Sequence, residues 1–393
     1  MRISTTILNQ NYSDWDRFEA EERGEPASRK PVRPDYDVLR QDIELARFAD
    51  DSGFDGVWTI EHHFTPYTMT TNPLQYLTYV AGMTKRVDVG TMVTVLPWHN
   101  PIRVAEDVVL LDALIGEGRN VICGVGRGLG RREYGGLGVD QNEARGRFNE
   151  GIQILKRLLQ TGECTFDGEY YKLDGVRLRP QPERDLSGNI YCAGGTQDTF
   201  SIICEQGVLP LTVPTTSLAV SLKNLQAYAN LNRKLGRDPV RTKLNVWTYL
   251  AEDPAEAQAD AERYLTEYAD SALRHYELLG THLGTLKGYE SYATQAAELR
   301  ANPELWTRAF YSGHPWGTPE QVLARSTELA HEFGADEIIF VFKYGGMPHE
   351  KALKSMKLFA ERVMPELKKI ETAPIMPWLA EEAAVSGNDT AVA

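Results

Sequence analysis

An alternation of strand-like and helix-like segments runs along nearly the whole chain and constrains the fold more than any other feature. Eight short runs rich in β-branched and apolar residues have the composition of buried strands: 2–8, 54–60, 87–96, 120–125, 189–193, 208–213, 243–250 and 336–342. Each run is followed by at least one segment whose apolar residues recur at helical spacing. Eight such units predict an α/β protein with a (β/α)8 TIM barrel and insertions. A doubly wound open sheet is the alternative, but no GxGxxG follows the first strand.

Three segments do not fit a minimal barrel. Segment 9–35 is polar and contains three prolines, which predicts a long loop. Segment 161–188 has glycines among alternating apolar residues, which predicts a small β-excursion. Segment 280–318 is rich in glycine and aromatic residues, and we expect an irregular lid. We predict one barrel domain over 1–370 and a flexible C-terminal tail over 371–393.

Charge and cysteine content limit the partners and the compartment. The net charge is -13, whereas nucleic acids and anionic membranes bind basic surfaces. The N-terminus is too polar for a secretory signal, and no run of about 18 apolar residues occurs. Four cysteines without a CxxC pair predict free buried thiols and no zinc site. We therefore expect a cytoplasmic protein that acts on a small molecule, with no nucleic-acid or membrane partner.

The second predicted strand is followed by Glu61-His62-His63-Phe64, in which the first three residues are titratable. The carboxyl ends of barrel strands form active sites, and histidine exchanges protons near neutral pH. Adjacent residues on a strand point to opposite sides, so we expect one functional and one structural histidine. The same argument disfavours a metal site, which needs ligands on one face. The alternative is that both histidines are capping or loop residues.

Two further strand ends have the residue types that bind anions. The glycine-rich turn 124–132 includes Arg127, and Arg145 lies at a predicted helix start. Small and hydroxylated residues at 193–199 are typical of a phosphate cradle at a helix N-terminus. The alternatives are a tight turn with solvated arginines and ordinary helix capping. Because neither a Walker loop nor a GxSxG elbow occurs, nucleotide hydrolysis and acyl transfer are poorly supported.

Ordered matches along most of the chain resemble one known family, the bacterial-luciferase-like flavin-dependent monooxygenases. The matching segments include Phe54–Trp58, Glu61–Thr65, Pro101–Asp107, Arg127–Leu129, Gly317–Glu320 and Ser355–Phe359. The resemblance implies a barrel enzyme that takes reduced FMN from a separate NAD(P)H:flavin reductase. It implies that a C4a-peroxyflavin forms with O2 and oxygenates a small organic substrate of aldehyde, ketone, terpenoid or polyketide type. It also suggests a homodimer.

The resemblance further implies roles for individual residues. His62 is expected beside the flavin ring as the catalytic residue, and Arg127 and Arg145 are expected at the FMN phosphate. A non-prolyl cis peptide is expected near Met92-Val93. The other expected cofactor-binding residues are Glu61, Met92, Gly195, Thr196 and Thr199. Residues expected in the substrate pocket or in a mobile loop over it are Trp58, Phe64 and Lys287, with Tyr67, Trp98, Trp306 and Trp316 as further aromatic candidates.

The sequence departs from the luciferase catalytic subunit around the expected pocket. Gly126 stands where that subunit has a cysteine, the turn after the fifth strand lacks its Glu-Ser pair, and the 9–35 loop is longer. These departures argue against a long-chain aldehyde substrate and against light emission. Two alternatives remain, an F420-dependent oxidoreductase of the same fold and a non-catalytic partner subunit of a heterodimer. The presence of His62 and Arg127 argues against the second alternative.

Overall fold

The computed structural model describes residues 1–28, 30–194, 197–213 and 218–375. Its strands are β1 (Arg2–Ile7), β2 (Gly56–Thr59), β3 (Asp88–Thr91), β4 (Thr94–Val95), β5 (Val121–Gly126), β6 (Glu163–Asp167), β7 (Lys172–Arg177), β8 (Ile190–Ala193), β9 (Leu209–Thr212), β10 (Thr242–Trp247), β11 (Tyr249–Leu250), β12 (Trp316–Gly317) and β13 (Ala335–Val341).

Helices follow the strands throughout these ranges. They are α1 (Trp15–Glu22), α2 (Asp35–Ser52), α3 (Pro73–Met83), α4 (Pro101–Ile115), α5 (Arg131–Leu137), α6 (Ala144–Thr161), α7 (Gln197–Gln206), α8 (Leu218–Lys234), α9 (Pro254–His275), α10 (Glu290–Ala301), α11 (Pro303–Gly313), α12 (Pro319–Glu332), α13 (His349–Arg362) and α14 (Met364–Leu367). None of these helices, within the described ranges, has the length and hydropathy that crossing a bilayer requires.

Eight parallel strands close into a barrel in the order β1, β2, β3, β5, β8, β9, β10 and β13. The ring is complete because β3 pairs with β5 and β13 pairs with β1. Closure confirms the (β/α)8 prediction and excludes the open doubly wound sheet. The expected cis peptide is present between Met92 and Val93, and β4 continues beyond it along β5.

Local sequence signals set several helix ends where they were predicted. Pro73 and Pro101 occupy the first positions of α3 and α4, where a missing N–H costs no helical hydrogen bond. The residues before them, Asn72 and Asn100, each accept a backbone N–H with the side chain. Helix α2 ends at Gly53, whose φ of 86° favours glycine. These signals place the barrel's outer helices without reference to distant residues.

A buried ion pair fills the lower interior of the barrel, towards the N-terminal ends of the strands. The Glu337 carboxylate accepts from Lys243 Nζ at 2.5 Å, Ser4 Oγ at 2.5 Å and Trp58 Nε1 at 3.1 Å. Burial alone would raise the pKa of Glu337, but the charges of Lys243 and Arg2 hold it below its usual range. The carboxylate is therefore ionised and fully paired, which is the condition for a buried charge to be tolerated.

The first insertion contains a helix that we did not predict. Helix α1 lies within 9–35, and its Trp15 donates from Nε1 to Ser271 Oγ on α9 at 2.6 Å. The three prolines of the segment come after α1, so they do not interrupt it. The prediction of a loop is thus wrong for the first half of the segment.

Of the predictions for the other two insertions, one is confirmed and one is wrong. Strands β6 and β7 form an antiparallel pair, which confirms the β-excursion in 161–188. The lid segment 280–318 is mostly regular, since it contains α10, α11 and β12. Its glycines lie before α10 and at or after the last residue of α11, so none interrupts a helix, and Asn302 separates the two helices. The expectation of an irregular segment is therefore wrong.

The chain remains packed on the barrel beyond residue 370. Thr372 is buried, its hydroxyl donates to the Ala335 carbonyl at 2.6 Å, and its own carbonyl accepts from Arg241 Nε at 3.0 Å. The predicted tail 371–393 is thus docked at its start, and its residues from 376 onward lie outside the described residues.

His314 links the stability of this fold to pH. Its ring packs against Phe310 and Trp247, with centroids 4.4 and 5.1 Å apart, and only 3% of the residue is exposed. Burial, with a contribution from the Arg325 charge, lowers the pKa of His314 from 6.5 to about 3. Between these values the unfolded chain binds a proton that the folded chain does not, so stability falls as the pH falls.

The His314→Phe substitution keeps an aromatic ring at this position and removes the group that titrates. From this group alone we expect the wild-type protein to lose about 2 kcal/mol of unfolding free energy between about pH 8 and pH 5. The His314→Phe variant should not show this part of the acid-induced loss of unfolding free energy. Urea unfolding at the two pH values measures both changes, and an equal acid loss in the two proteins would contradict the assignment.

Candidate active site

A cavity of about 460 Å³ opens at the carboxyl ends of the barrel strands. Small-molecule sites usually measure roughly 300–1,000 Å³, and barrel enzymes carry their active sites at this end. Residues that follow four strands line the cavity, including His62 after β2, Met92 after β3, Arg127 after β5 and Thr199 after β8. The fold thus brings together residues from each of the predicted site segments.

His62 is held by a carboxylate that we did not predict. His62 Nδ1 lies 2.9 Å from Glu133 Oε1, and the backbone N–H of His63 donates to the same oxygen at 2.9 Å. Glu133 lies in the first turn of α5 and is fully buried. A carboxylate can only accept, so a neutral His62 ring carries its proton on Nδ1 and keeps a lone pair on Nε2.

Glu133 is charged and its second imidazole neighbour is neutral. Burial alone would raise the pKa of Glu133, but its interactions with His62 and His275 hold it well below its usual range. His275 Nε2 lies 3.4 Å from Glu133 Oε2 without hydrogen-bond alignment, and Thr65 Oγ1 contacts His275 Nδ1 at 2.7 Å. Burial, with His62 nearby, lowers the pKa of His275 from 6.5 to about 4.

Three tyrosines extend the polar contacts of His62 into the cavity. Tyr276 OH lies 3.2 Å from His62 Nε2, and Tyr67 OH lies 2.6 Å from Tyr268 OH. Burial raises the pKa of Tyr67 to about 12 and raises the pKa values of Tyr268 and Tyr276 well above their ordinary value. The phenols are therefore protonated at neutral pH, and Tyr276 is able to donate to the lone pair of His62 Nε2.

The second histidine supports the cavity wall. His63 Nε2 lies 3.2 Å from Glu61 Oε1, which His99 Nε2 also approaches at 2.6 Å, while Glu61 Oε2 accepts the Val95 N–H at 2.7 Å. These contacts hold the pKa of Glu61 below its usual range, although burial alone would raise it. Glu61 lines the cavity, but its carboxylate forms hydrogen bonds with the segment after β3. The contact with Glu61 gives His63 a structural part, and the functional role of His62 stays a prediction.

The two predicted phosphate-binding arginines are neighbours across Gly288, and of the two only Arg127 is among the described residues that line the cavity. Arg127 is buried, and its guanidinium carbon lies 4.5 Å from the centroid of the Tyr289 ring. In the part of the chain that the structure describes, no carboxylate forms an ion pair with Arg127. A Cβ atom added at Gly288 would lie 3.4 Å from Arg127 Nη1 and 3.1 Å from Arg145 Nε. Glycine thus lets this loop cover both cations.

The N-terminus of α7 contributes to the same end of the cavity as Arg127. We call this end, which suits a negatively charged ligand group, the anion end. Gly194 and Thr199 line the cavity, and Thr199 lies in the first turn of the helix. Free backbone N–H groups at a helix start favour anions. Gly195 and Thr196, which were predicted to bind the phosphate, lie outside the described residues.

An apolar wall forms another part of the lining, and Met92, Val93, Gly126 and Ala193 contribute to it. A Cβ atom at Gly126 would lie 2.5 Å from Val93 Cγ2, so the glycine allows β5 to pack against Val93. This contact accounts for glycine at a position where the luciferase catalytic subunit has a cysteine. An arginine at the anion end, an apolar wall and an imidazole in one cavity fit the phosphate and the ring of FMN.

Three residues predicted for the pocket or lid do not line the cavity. Trp58 lies in the lower barrel interior with Glu337, and Phe64 is 53% exposed and packs over Gly136. Lys287 is exposed, and its backbone N–H donates to Asn142 Oδ1 at 3.2 Å. Trp58 and Phe64 are therefore wrong as pocket residues, whereas Lys287 precedes Gly288 in the segment that covers the cavity, and its place in a mobile loop stays a prediction. Of the further aromatic candidates, Tyr67 and Trp306 line the cavity, whereas Trp98 and Trp316 do not.

Several residues of the site were missed by sequence reasoning. Tyr276, Asn245 and Trp247 line the cavity, whereas Glu133 and His275 lie behind the lining, where Glu133 contacts both His62 and His275. Glu133 alone had a sequence signal, because it follows the glycine-rich turn at the predicted mouth. The others lie within regular strand or helix patterns that carry no mark of function.

The acid and imidazole groups around His62 are close enough to raise the question of a metal. Ligand atoms of His62, Glu133 and His275 lie within 4.8 Å of one another. However, the 2.9 Å contact between His62 Nδ1 and Glu133 needs a proton on the nitrogen that a metal would occupy. We therefore interpret the group as a hydrogen-bonded network, and the absence of a metal site stays a prediction.

Comparison with known proteins agrees with this geometry. The family model described as luciferase-like monooxygenase matches residues 18–337. The alkanal monooxygenase alpha chain of Photorhabdus luminescens is 27% identical over 340 residues, which cover 85% of this chain and 93% of that protein. The oxygenase component of the flavin-dependent trigonelline monooxygenase of Acinetobacter baylyi is 25% identical, with coverage of 84% and 89%.

Solved structures share the fold at lower identity. The oxygenating constituent of 3,6-diketocamphane monooxygenase from Pseudomonas putida, in complex with FMN, has a TM-score of 0.66 at 18% identity and covers 93% of this chain and 99% of its own. An F420-dependent secondary alcohol dehydrogenase has a TM-score of 0.65 at 17% identity, with coverage of 92% and 98%. The family match spans most of the barrel and the site segments. This chain belongs to the luciferase-like monooxygenase family.

Proposed function

We propose that this chain is the oxygenase component of a two-component monooxygenase, which uses reduced FMN and O2 to oxygenate a small organic molecule. The observation that carries the proposal is one cavity with Arg127 at its anion end and His62 beside an apolar wall. Reduced FMN, when bound, supplies the electrons that activate O2. The remaining steps depend on what the protein's own residues bind, shield and protonate.

Binding and orientation are assigned to the anion end and the apolar wall. Arg127 and Arg145 would hold the phosphate by charge-assisted hydrogen bonds, with Thr199 and the start of α7 beside them. Met92, Val93 and Gly126 would flank the ring. Glu133 contacts the other ring nitrogen of His62, Nδ1. We therefore assign proton transfer to His62 Nε2.

Exclusion of water is assigned to the segment that covers the cavity. Tyr289 is fully buried, donates from its hydroxyl to the Gly128 carbonyl at 3.0 Å and stacks under Arg127. Helices α10 and α11 add Tyr292, Leu299 and Phe310 to the lining. Such a cover protects a reactive oxygen species from water and stray acids.

The supply of reduced FMN by an NAD(P)H:flavin reductase is part of the same proposal. A relative is named as an oxygenase component, which supports a division of labour between two proteins. A homodimer is also proposed, on the family resemblance alone. The paired His62–Glu133 contact and the buried Arg127 favour an active chain over a non-catalytic partner subunit.

The competing cofactor is the deazaflavin F420, because an F420-dependent enzyme has the same fold. F420 also has a planar ring, but it does not activate O2. Titration of the protein with each cofactor separates the two possibilities. We expect FMN to bind at least about tenfold more tightly, and tighter binding of F420 would replace the proposal.

An Arg127→Ala variant tests the phosphate assignment. We expect FMN to bind about 10- to 100-fold more weakly, since a charge-assisted hydrogen bond contributes about 1.5–3 kcal/mol. Riboflavin has the same ring without the phosphate, so its affinity should change little. Calorimetric titration of both ligands measures the difference.

Arg131→Ala is the matched control, because Arg131 lies nearby in the chain at the start of α5, is exposed and pairs with Glu277 at 2.6 Å. We expect it to bind FMN like the wild-type protein. Unchanged FMN affinity in Arg127→Ala, or an equal loss for riboflavin, would refute the phosphate assignment.

A further inference from the structure

The cavity has a second region that the contacts assigned to the cofactor do not use. We call it the aromatic lobe, and it consists of Tyr67, Trp247, Tyr268, Trp306 and Phe310. These residues come from the segment after β2, from β10, and from α9 and α11. The anion end is built on β5 and β8 instead. In the barrel order β10 is separated from β8 by β9, so the lobe lies away from the phosphate contacts.

Four rings of the aromatic lobe, those of Tyr67, Trp247, Tyr268 and Phe310, are packed against one another. Trp247 and Tyr268 have centroids 4.6 Å apart, and Tyr268 stacks on Phe310 at 5.3 Å with an interplanar angle of 26°. Tyr67 lies 5.8 Å from Tyr268. A wall of mutually fixed rings offers offset stacking and edge contacts to another flat ring at little cost in side-chain entropy.

No charged side chain of the described residues belongs to the aromatic lobe. The charged residues that line the whole cavity are Glu61, Arg127 and Glu298. The Glu61 carboxylate has three partners, Arg127 lies at the anion end, and Glu298 is exposed. A charged ligand group in the lobe would lose its hydration without gaining a counterion, so the lobe favours a neutral molecule.

Three buried hydrogen-bond donors of the cavity lining have no acceptor among the described residues: Asn245 Nδ2, Trp247 Nε1 and Trp306 Nε1. The most deeply buried residues of the three are Asn245 and Trp247, which are 0% and 3% exposed. They lie two positions apart on β10, so they share its inward face, and both line the cavity. Asn245 Oδ1 accepts from Thr6 Oγ1 at 3.3 Å, which directs the amide nitrogen elsewhere. Buried donors normally have partners, so a ligand oxygen is the expected one.

We propose that the substrate is an uncharged, planar aromatic compound with a carbonyl oxygen that accepts from Asn245 and Trp247. This inference rests on the proposed function, since it takes the cofactor to occupy the other part of the cavity. The proposed substrate class excludes a long-chain aldehyde, which has a carbonyl group but no ring. It also excludes an ionic pyridine carboxylate, which has a ring but carries charge.

Binding of model ligands to the FMN-loaded protein tests the inference without turnover. The probes are acetylnaphthalene, ethylnaphthalene, decanal and trigonelline, with dissociation constants measured by calorimetry. We expect acetylnaphthalene to bind at least about tenfold more tightly than decanal or trigonelline. Ethylnaphthalene has the same ring without the oxygen, and we expect it to bind about three- to tenfold more weakly than acetylnaphthalene. Equal or tighter binding of decanal or trigonelline would overturn the proposal.

Variants of the two donors test the carbonyl contact separately. In Trp247→Phe and Asn245→Leu the preference for acetylnaphthalene over ethylnaphthalene should shrink towards unity, while FMN affinity stays within about twofold. A loss of FMN affinity with the ligand preference intact would overturn the proposal by assigning the donors to the cofactor. If a variant does not fold, the four probes on the wild-type protein still decide.

Failure of this inference is distinguishable from failure of the proposed function. If FMN binds and the aromatic ketone has no advantage, the substrate class is wrong and the cofactor assignment stands. If FMN does not bind, the proposed function fails, and the same titrations on the cofactor-free protein still report the preference of the aromatic lobe.

Discussion

The His62→Ala variant should lose about 100-fold or more of product formation, the usual contribution of a positioned acid–base group, while it binds FMN almost as well as the wild-type protein. His62 lines the cavity beside Met92, and its Nδ1 is occupied by Glu133. Nε2 is thus the ring nitrogen left for a reacting group, which would replace the Tyr276 hydroxyl that lies 3.2 Å away or exchange its proton through it. Because the phosphate contacts lie elsewhere, at Arg127, cofactor affinity should be spared. Product yield per reduced FMN and a parallel FMN titration measure the two effects.

The adjacent histidine provides the matched control. His63 contacts Glu61 and does not line the cavity, so His63→Gln keeps a donor to that carboxylate and should retain product formation within a few-fold. Normal yield from His62→Ala would contradict the catalytic assignment. An equal loss in His63→Gln would mean that the segment as a whole is needed, and that His62 has no special role.

The Glu133→Gln variant should lose at least about tenfold of product formation, because Glu133 fixes the proton of His62 on Nδ1. Loss of the carboxylate that orients a catalytic histidine costs up to about 10,000-fold in serine proteases. A glutamine amide is free to present either a donor or an acceptor to Nδ1, so the preferred tautomer is no longer imposed. Glu133 is a positioning residue in this account, since its contacts are to His62, His63 and His275.

Nitrogen-15 NMR of labelled histidine distinguishes this positioning role from a purely structural one. Wild-type His62 should show its proton on Nδ1, and Glu133→Gln should show a mixture of tautomers. Glu133→Asp keeps the carboxylate and should recover part of the activity and the tautomer. If the variant is inactive with an unchanged tautomer, Glu133 acts through folding alone and the assignment is wrong.

The barrel was predictable because its signals are local. Apolar runs identify each buried strand, and Pro73, Pro101 and Gly53 set the boundaries of helices without help from distant residues. Closure then follows from the number of units. The errors at α1, α10 and α11 have a common origin, since a high density of proline or glycine was taken as evidence against any helix. In each case those residues lie outside the helix or at its first or last position.

The active site was predictable only where it coincides with strand ends. His62 and Arg127 follow predicted strands, so the barrel geometry placed them at one mouth. Their partners depend on tertiary contacts: Glu133 is 71 residues from His62, and His275 is 210 residues from its partner Thr65. A helical pattern such as α9 predicts a buried face and gives no sign that its end returns to the mouth.

Rapid mixing with oxygen tests the central claim most directly. The protein is loaded with reduced FMN and mixed with oxygenated buffer, and the absorbance of oxidised FMN is followed. A covered, water-excluding cavity predicts that oxidised FMN returns about tenfold or more slowly than with free reduced FMN, and that an accepted substrate is converted to an oxygenated product. Return at the rate of free FMN, with no oxygenated product, would contradict the assignment of this chain as an FMN-dependent monooxygenase.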